Sequence, residues 1–147
     1  MASSALTPYR QIEYQRMPKR WKYRLHKQLV IPTGIRPERD CDAGFCRLST
    51  DGVLTIDEGY AWDGPSGPAI DTPNWMRASL VHDALYQLIR VTSLSSTTRK
   101  AADVLMYDIL IEDGMSRFRA KYSYWGVRAF GRRATKKREP SAVLTAP

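Results

Sequence analysis

Two rhythms of apolar residues divide the chain. Between residues 21 and 62 apolar positions partly alternate, and from residue 73 they recur every three or four positions. Residues 21–31, WKYRLHKQLVI, are rich in strand formers, and Pro32 and Gly34 end the run. Two short strands are expected at 45–49 and 53–57. Thr50, Asp51 and Gly52 between them predict a hairpin, because Asp-Gly accepts the positive φ of a tight turn. Residues 60–62 are expected to continue the sheet. Residues 63–71, DGPSGPAID, hold two glycines and two prolines and predict a bent, stiff loop.

The helical rhythm begins after that loop. Asp71 or Thr72 is the expected cap, with Pro73 in the first turn of a helix over 73–89. Met76, Leu80, Val81, Ala84, Leu85 and Leu88 form its apolar face. Thr97 or Thr98 caps a second helix that runs to about residue 113, where Gly114 stops it. Its core face is Ala102, Leu105, Met106, Ile109 and Leu110. A third helix over 116–133 carries Phe118, Tyr122, Trp125, Val127 and Phe130. The expected architecture is α+β, a small antiparallel sheet followed by three helices, the first two forming an antiparallel hairpin. Residues 1–20 read as an arm, 21–134 as one globular domain and 135–147 as a basic, flexible tail.

Composition narrows the class. A chain of 147 residues suits one core, and 43% hydrophobic with 26% charged residues is ordinary for a water-soluble domain. No apolar run approaches the ~20 residues of a membrane-spanning helix, and MASSALTPYR lacks the basic-then-apolar order of a signal peptide. The expected location is a cytoplasm, with packaging in a virion as the alternative. Net charge is +8. One basic cluster comprises Arg16, Lys19, Arg20, Lys22, Arg24 and Lys27; the other comprises Arg128, Arg132, Arg133, Lys136, Lys137 and Arg138. The second is a candidate surface for nucleic acid, anionic lipid or an acidic protein face, against the plainer reading of a solvated basic surface. Cys41 and Cys46 have no histidine nearby, so two thiols rather than a zinc site are expected.

The chemistry-bearing residues sit on the helix hairpin. A short connection places His82 and Asp103 at similar heights, roughly 7–10 Å from the connecting end at ~1.5 Å per residue. Tyr86 follows His82 by one turn and Tyr107 follows Asp103 by one turn. A polar cluster of His82, Asp83, Tyr86, Asp103 and Tyr107 therefore lies beside an apolar interface. Ionisable groups are rarely buried unpaired, so the cluster is either a site or a network that locks two helices. In the first case His82 is a general base for water, Asp103 orients its imidazole and Tyr86 joins them. The loop could offer carbonyls to a hard cation such as calcium, with Asp63, Gly64, Ser66 and Asp83 as the candidate ligand positions; the plainer reading is a strand-to-helix connection.

The strings GYAWDGPSGP, ASLVHDALY and RKAADVLMYDILIEDGM, within residues 24–131, resemble domain-of-unknown-function family 1353. That resemblance implies a phage or prophage origin, and with it phage structural proteins or a host membrane as partners. It implies no activity. At motif level, Gly64-Pro65-Ser66-Gly67, then His82-Asp83-Ala84-Leu85-Tyr86, then Ala102-Asp103 are similar to phospholipase A2 enzymes, especially those of parvovirus capsids. Carried over, that likeness implies a lipid-ester hydrolase with His82 as base, Asp103 as its partner and Asp83 as a calcium ligand. Ser66 stands where that family usually has glycine, and the preceding sheet is foreign to it. Metal-dependent phosphohydrolases of the His-Asp class need a second histidine upstream, and the only other one here, His26, lies on an expected strand. The competing expectations are a hydrolase, a non-enzymatic virion or tail-associated protein, and a sequence-independent nucleic-acid binder.

Overall fold

The structure, a computed structural model, describes residues 11–16, 23–64 and 72–137. Most of the expected arm, the loop residues 65–71 and the chain after 137 lie outside the described residues, and Ser66, Asp71 and Arg138 with them.

The alternating half forms two small antiparallel sheets. Strands β1 (Tyr14–Arg16), β2 (Tyr23–Leu25), β3 (Leu29–Pro32), β4 (Cys41–Asp42), β5 (Cys46–Leu48), β6 (Val53–Ile56) and β7 (Ala61–Trp62) follow in chain order. One sheet has the order β1-β2-β7 and the other β3-β6-β5-β4. In the second, Leu29 and Cys46 flank Ile56, and Ile31 and Leu48 flank Leu54. All six side chains are buried, so this face is one apolar layer. The β5–β6 hairpin closes as expected, with Gly52 at φ 82° and its N–H donating to the Ser49 carbonyl at 2.9 Å.

The single strand expected over 21–31 is instead two strands in two different sheets. Residues 23, 25, 29 and 31 all point inward, and residue 27 has the same parity. It is a lysine, whose charge resists burial, so the chain bends outward through His26 and Lys27. β7 likewise pairs with β2, not with the hairpin. Part of the expected arm is also strand. Tyr14 pairs with Leu25, and its ring meets Tyr23 and Trp62 edge-on at 5.5 and 6.0 Å.

The helical half holds α1 (Pro73–Val91), α2 (Arg99–Glu112) and α3 (Arg117–Phe130). Short 3-10 turns precede α2 at Ser96–Thr98 and follow α3 at Gly131–Thr135. α1 is the central element. It buries most of its circumference, including Leu80, Val81, Ala84, Leu85, Leu88 and Ile89. One side meets the second sheet, where Cys46 Sγ approaches the Ala84 carbonyl, and another meets α2. Both cysteines are buried free thiols. Beyond the expected boundary at 134, Thr135 is buried and Lys137 Nζ donates to the carbonyls of Ile89, Thr92 and Leu94 at the end of α1. No helix among the described residues is long and apolar enough to cross a membrane.

Candidate functional site

The α1–α2 hairpin brings His82 against Asp103. His82 Nε2 lies 2.7 Å from Asp103 Oδ1, and the Tyr86 hydroxyl donates to the same oxygen at 2.5 Å. Tyr86 stands one turn beyond His82, and the two rings lie 3.9 Å apart between centroids. The other carboxylate oxygen, Oδ2, accepts from Arg128 Nη1 of α3 at 3.0 Å and has Arg99 Nη1 at 3.7 Å. Arg99 also donates to the Val127 and Arg128 carbonyls near the end of α3. Asp103, wholly buried, thus ties three helices together.

The two ring nitrogens of His82 have different surroundings. A carboxylate at Nε2 keeps the proton of the neutral imidazole on that nitrogen and leaves the Nδ1 lone pair uncommitted. Nδ1 is 3.8 Å from Asp83 Oδ1, too far for a hydrogen bond. Every fully buried side-chain nitrogen and oxygen among the described residues has a partner. Nδ1 thus has no hydrogen-bond partner among the described residues and is not fully sealed from solvent, beside the half-buried Asp83.

The electrostatics follow from this packing. Burial works against ionised Asp103, but hydrogen bonds from His82, Tyr86 and Arg128 and the charge of His82 outweigh it and hold the carboxyl below its ordinary value. Burial likewise disfavours the His82 imidazolium, yet Asp103 and Asp83 together raise its pKa above the usual 6.5. Asp83 is pushed up, first by desolvation and also by the charge of Asp63, with His82 opposing. The Tyr86 phenol is raised by burial and by Asp103, so it remains a donor.

The residues expected at the site divide into three groups. His82, Tyr86 and Asp103 meet, with Asp83 alongside. Tyr107 does not join them, because that side of α2 meets α3 and the ring packs edge-on to Tyr124 at 6.2 Å. Asp63 is exposed and Gly64 is buried with φ 75°, at the start of the loop that holds Ser66. Asp63 and Asp83 supply oxygen, the donor a hard cation takes, but calcium needs six to eight such ligands. No group of three or more His, Cys, Asp or Glu among the described residues is placed to hold a metal. Asp63 and Asp83 alone do not complete such a site. His26 is exposed at the bend between β2 and β3, not on a strand.

The basic cluster changes membership. Arg128 is engaged by Asp103 and Lys137 by the end of α1, while Arg132, Arg133 and Lys136 are exposed. Sequence reasoning missed three residues of the site. Arg99 precedes Asp103 by four positions, an ion-pair spacing on a helix that was there to be read. Arg128 gave no signal apart from its charge. Gly131 matters through what it lacks: a Cβ there would lie 2.6 Å from the Tyr86 hydroxyl and 3.2 Å from Arg99 Nη1.

A family model described as protein of unknown function, DUF1353, matches residues 42–127, a span that includes His82, Asp83, Tyr86, Arg99 and Asp103. No curated protein and no solved structure matches the chain.

Proposed function

The chain belongs to the DUF1353 family, and from the site within the matched segment we propose that it is an ester hydrolase in which His82 Nδ1 is the general base. The observation that carries this reading is the asymmetry of the His82 ring, with Nε2 held by buried Asp103 and Nδ1 without a hydrogen-bond partner and not fully sealed from solvent. A base needs a lone pair that water can reach and a second nitrogen that can shed positive charge onto a carboxylate. Water at Nδ1 loses a proton to His82 as its oxygen attacks the ester carbonyl. Asp103 stabilises the imidazolium so formed, and Tyr86 and Arg128 keep that carboxylate ionised and fixed. The proton then passes from Nδ1 to the departing alkoxide. Calcium, which the motif order implies, would have Asp63 and Asp83 as its ligands among the described residues and would supply charge to polarise the ester carbonyl.

The substrate class we infer is a phospholipid ester, in keeping with the motif order, with a host membrane as its source. The test is fatty-acid release from mixed phosphatidylcholine and phosphatidylglycerol vesicles with millimolar calcium. The wild-type protein should release fatty acid, and His82→Gln should lower the rate by about 10²–10⁴. No release by the wild type, or equal release by the variant, overturns the reading.

A second reading is favoured by Arg99 and Arg128. Both add to Asp103 contacts that fasten α3 to the hairpin. On this reading the network is purely structural and the protein is a non-enzymatic virion or host-interaction component. Normal function of a folded His82→Gln protein in its biological setting would support it.

A further inference from the structure

α3 faces the core with one side only. Ala120 is its sole buried residue, Val127 packs partly against the core, and Tyr124 meets Tyr107 of α2. On the opposite side Phe118, Tyr122 and Trp125 are 82%, 67% and 65% exposed. At 100° per residue these three rings fall within an arc of about 60°. Phe130, 85% exposed, stands at the end of the same helix. Single exposed aromatics are common, but an aligned ridge on one helix marks a contact surface.

The borders of the ridge are cationic. Residues 114–137 contain no Asp or Glu. Arg119 and Lys121 flank the rings and Arg132 follows them, all three exposed. Tryptophan and tyrosine favour the bilayer boundary, where the ring body is apolar and its polar edge stays wet. Long basic side chains reach from such a boundary to lipid phosphates. The alternatives fit less well. A second copy would press cationic borders together, and single-stranded nucleic acid calls for a groove that tracks its backbone, not a convex ridge.

We propose that α3 is a membrane-docking face, with Phe118, Tyr122 and Trp125 entering the headgroup boundary of an anionic bilayer and Arg119, Lys121 and Arg132 on its phosphates. The inference rests on exposure and charge, independently of the hydrolase reading. It places the helix that carries Arg128, and so the support of Asp103, at the lipid surface.

The test separates binding from turnover by using the full-length His82→Gln protein throughout. It should sediment with vesicles of equal parts phosphatidylglycerol and phosphatidylcholine, and only weakly with phosphatidylcholine alone. Adding Phe118→Ser and Trp125→Ser should lower partitioning at least about thirtyfold, with far-ultraviolet circular dichroism unchanged because both side chains are exposed. Lys121→Gln with Arg132→Gln should weaken binding to the anionic vesicles while leaving the weak phosphatidylcholine binding unaltered. Absence of binding by the parent, or unchanged partitioning of the Phe118/Trp125 variant, overturns the proposal. So does a parent dimer that the two serines convert to monomer, or binding of a single-stranded oligonucleotide that they abolish while vesicle binding survives.

Discussion

Gly131→Ala probes the packing of the site without replacing any of its polar groups. Gly131 has φ −78°, an ordinary value for any residue, so the substitution introduces no backbone strain. The added methyl would lie 2.6 Å from Tyr86 Oη and 3.1 Å from Tyr86 Cε2. Ordinary contact begins near 3.4 Å, so the phenol must retreat by about 0.8 Å. That movement breaks its 2.5 Å bond to Asp103. Loss of a hydrogen bond to a charged group costs about 1.5–3 kcal/mol, and replacing glycine in a compatible conformation returns about 0.4–1 kcal/mol. The net expectation is a destabilisation of roughly 1–2 kcal/mol, read from urea unfolding. A double-mutant cycle with Tyr86→Phe decides the cause. Without the hydroxyl the nearest side-chain atoms are at 3.1 and 3.2 Å, which a shift of a few tenths of an ångström accommodates, so Gly131→Ala should become nearly neutral. Costs that add within about 0.5 kcal/mol in the two backgrounds would refute the reasoning.

The ionisation of the site predicts how stability depends on pH. Asp103 has a folded pKa below 3.8, so its contribution is present above that value and lost as pH falls through the folded one; His82 has a folded pKa above 6.5, so its contribution is complete below 6.5 and lost as pH rises through the folded one. Urea unfolding across pH should show both declines, the acidic one flattened in Asp103→Asn and the alkaline one in His82→Gln; curves parallel to wild type would disprove the assignment. Burial, and secondarily Asp42, pushes the Cys46 thiol up to about 12, so it should resist iodoacetamide in the native protein at pH 8 and react after unfolding. Rapid native labelling of Cys46, located by mass spectrometry, would contradict that.

What the sequence disclosed depended on how much pattern each element carries. α1 and α2 have several turns each, and Pro73 and Gly114 mark their ends chemically, so their positions were readable to within a few residues. The β5–β6 hairpin was readable from Asp51 and Gly52 alone. β1 and β4 were not, because three exposed residues or two residues contain no period. Lys27 was legible in principle, since a lysine at an inward parity forecasts a break, but a window rich in strand formers hid it. The assignment of β2 and β7 to their own sheet depends on pairing across residues 26–60, which no local pattern encodes.

The same distinction separates the readable part of the site from the rest. His82, Tyr86 and Asp103 were found because helical geometry relates positions four apart and a short connection relates two helices. Arg128 and Gly131 come from α3 and the turn after it, and their distance from the carboxylate depends on how α3 crosses the hairpin. Charge count alone placed Arg128 on an open basic surface, where it would be interchangeable with Arg132 or Arg133. Its guanidinium instead lies 3.0 Å from Asp103 Oδ2, and an interior carboxylate with cations on one edge stays ionised. That ionisation is what lets Asp103 stabilise a proton arriving on His82. The basic side chains of α3 and the turn after it are therefore of two kinds: Arg128 turned inward to the site, and Arg119, Lys121 and Arg132 turned outward. Arg128→Gln should consequently disturb the titration of His82, followed by its imidazole NMR signals, while Arg132→Gln should not. An equal displacement of the His82 midpoint by both would mean that general surface charge, not the direct contact with Asp103, sets the ionisation of the site.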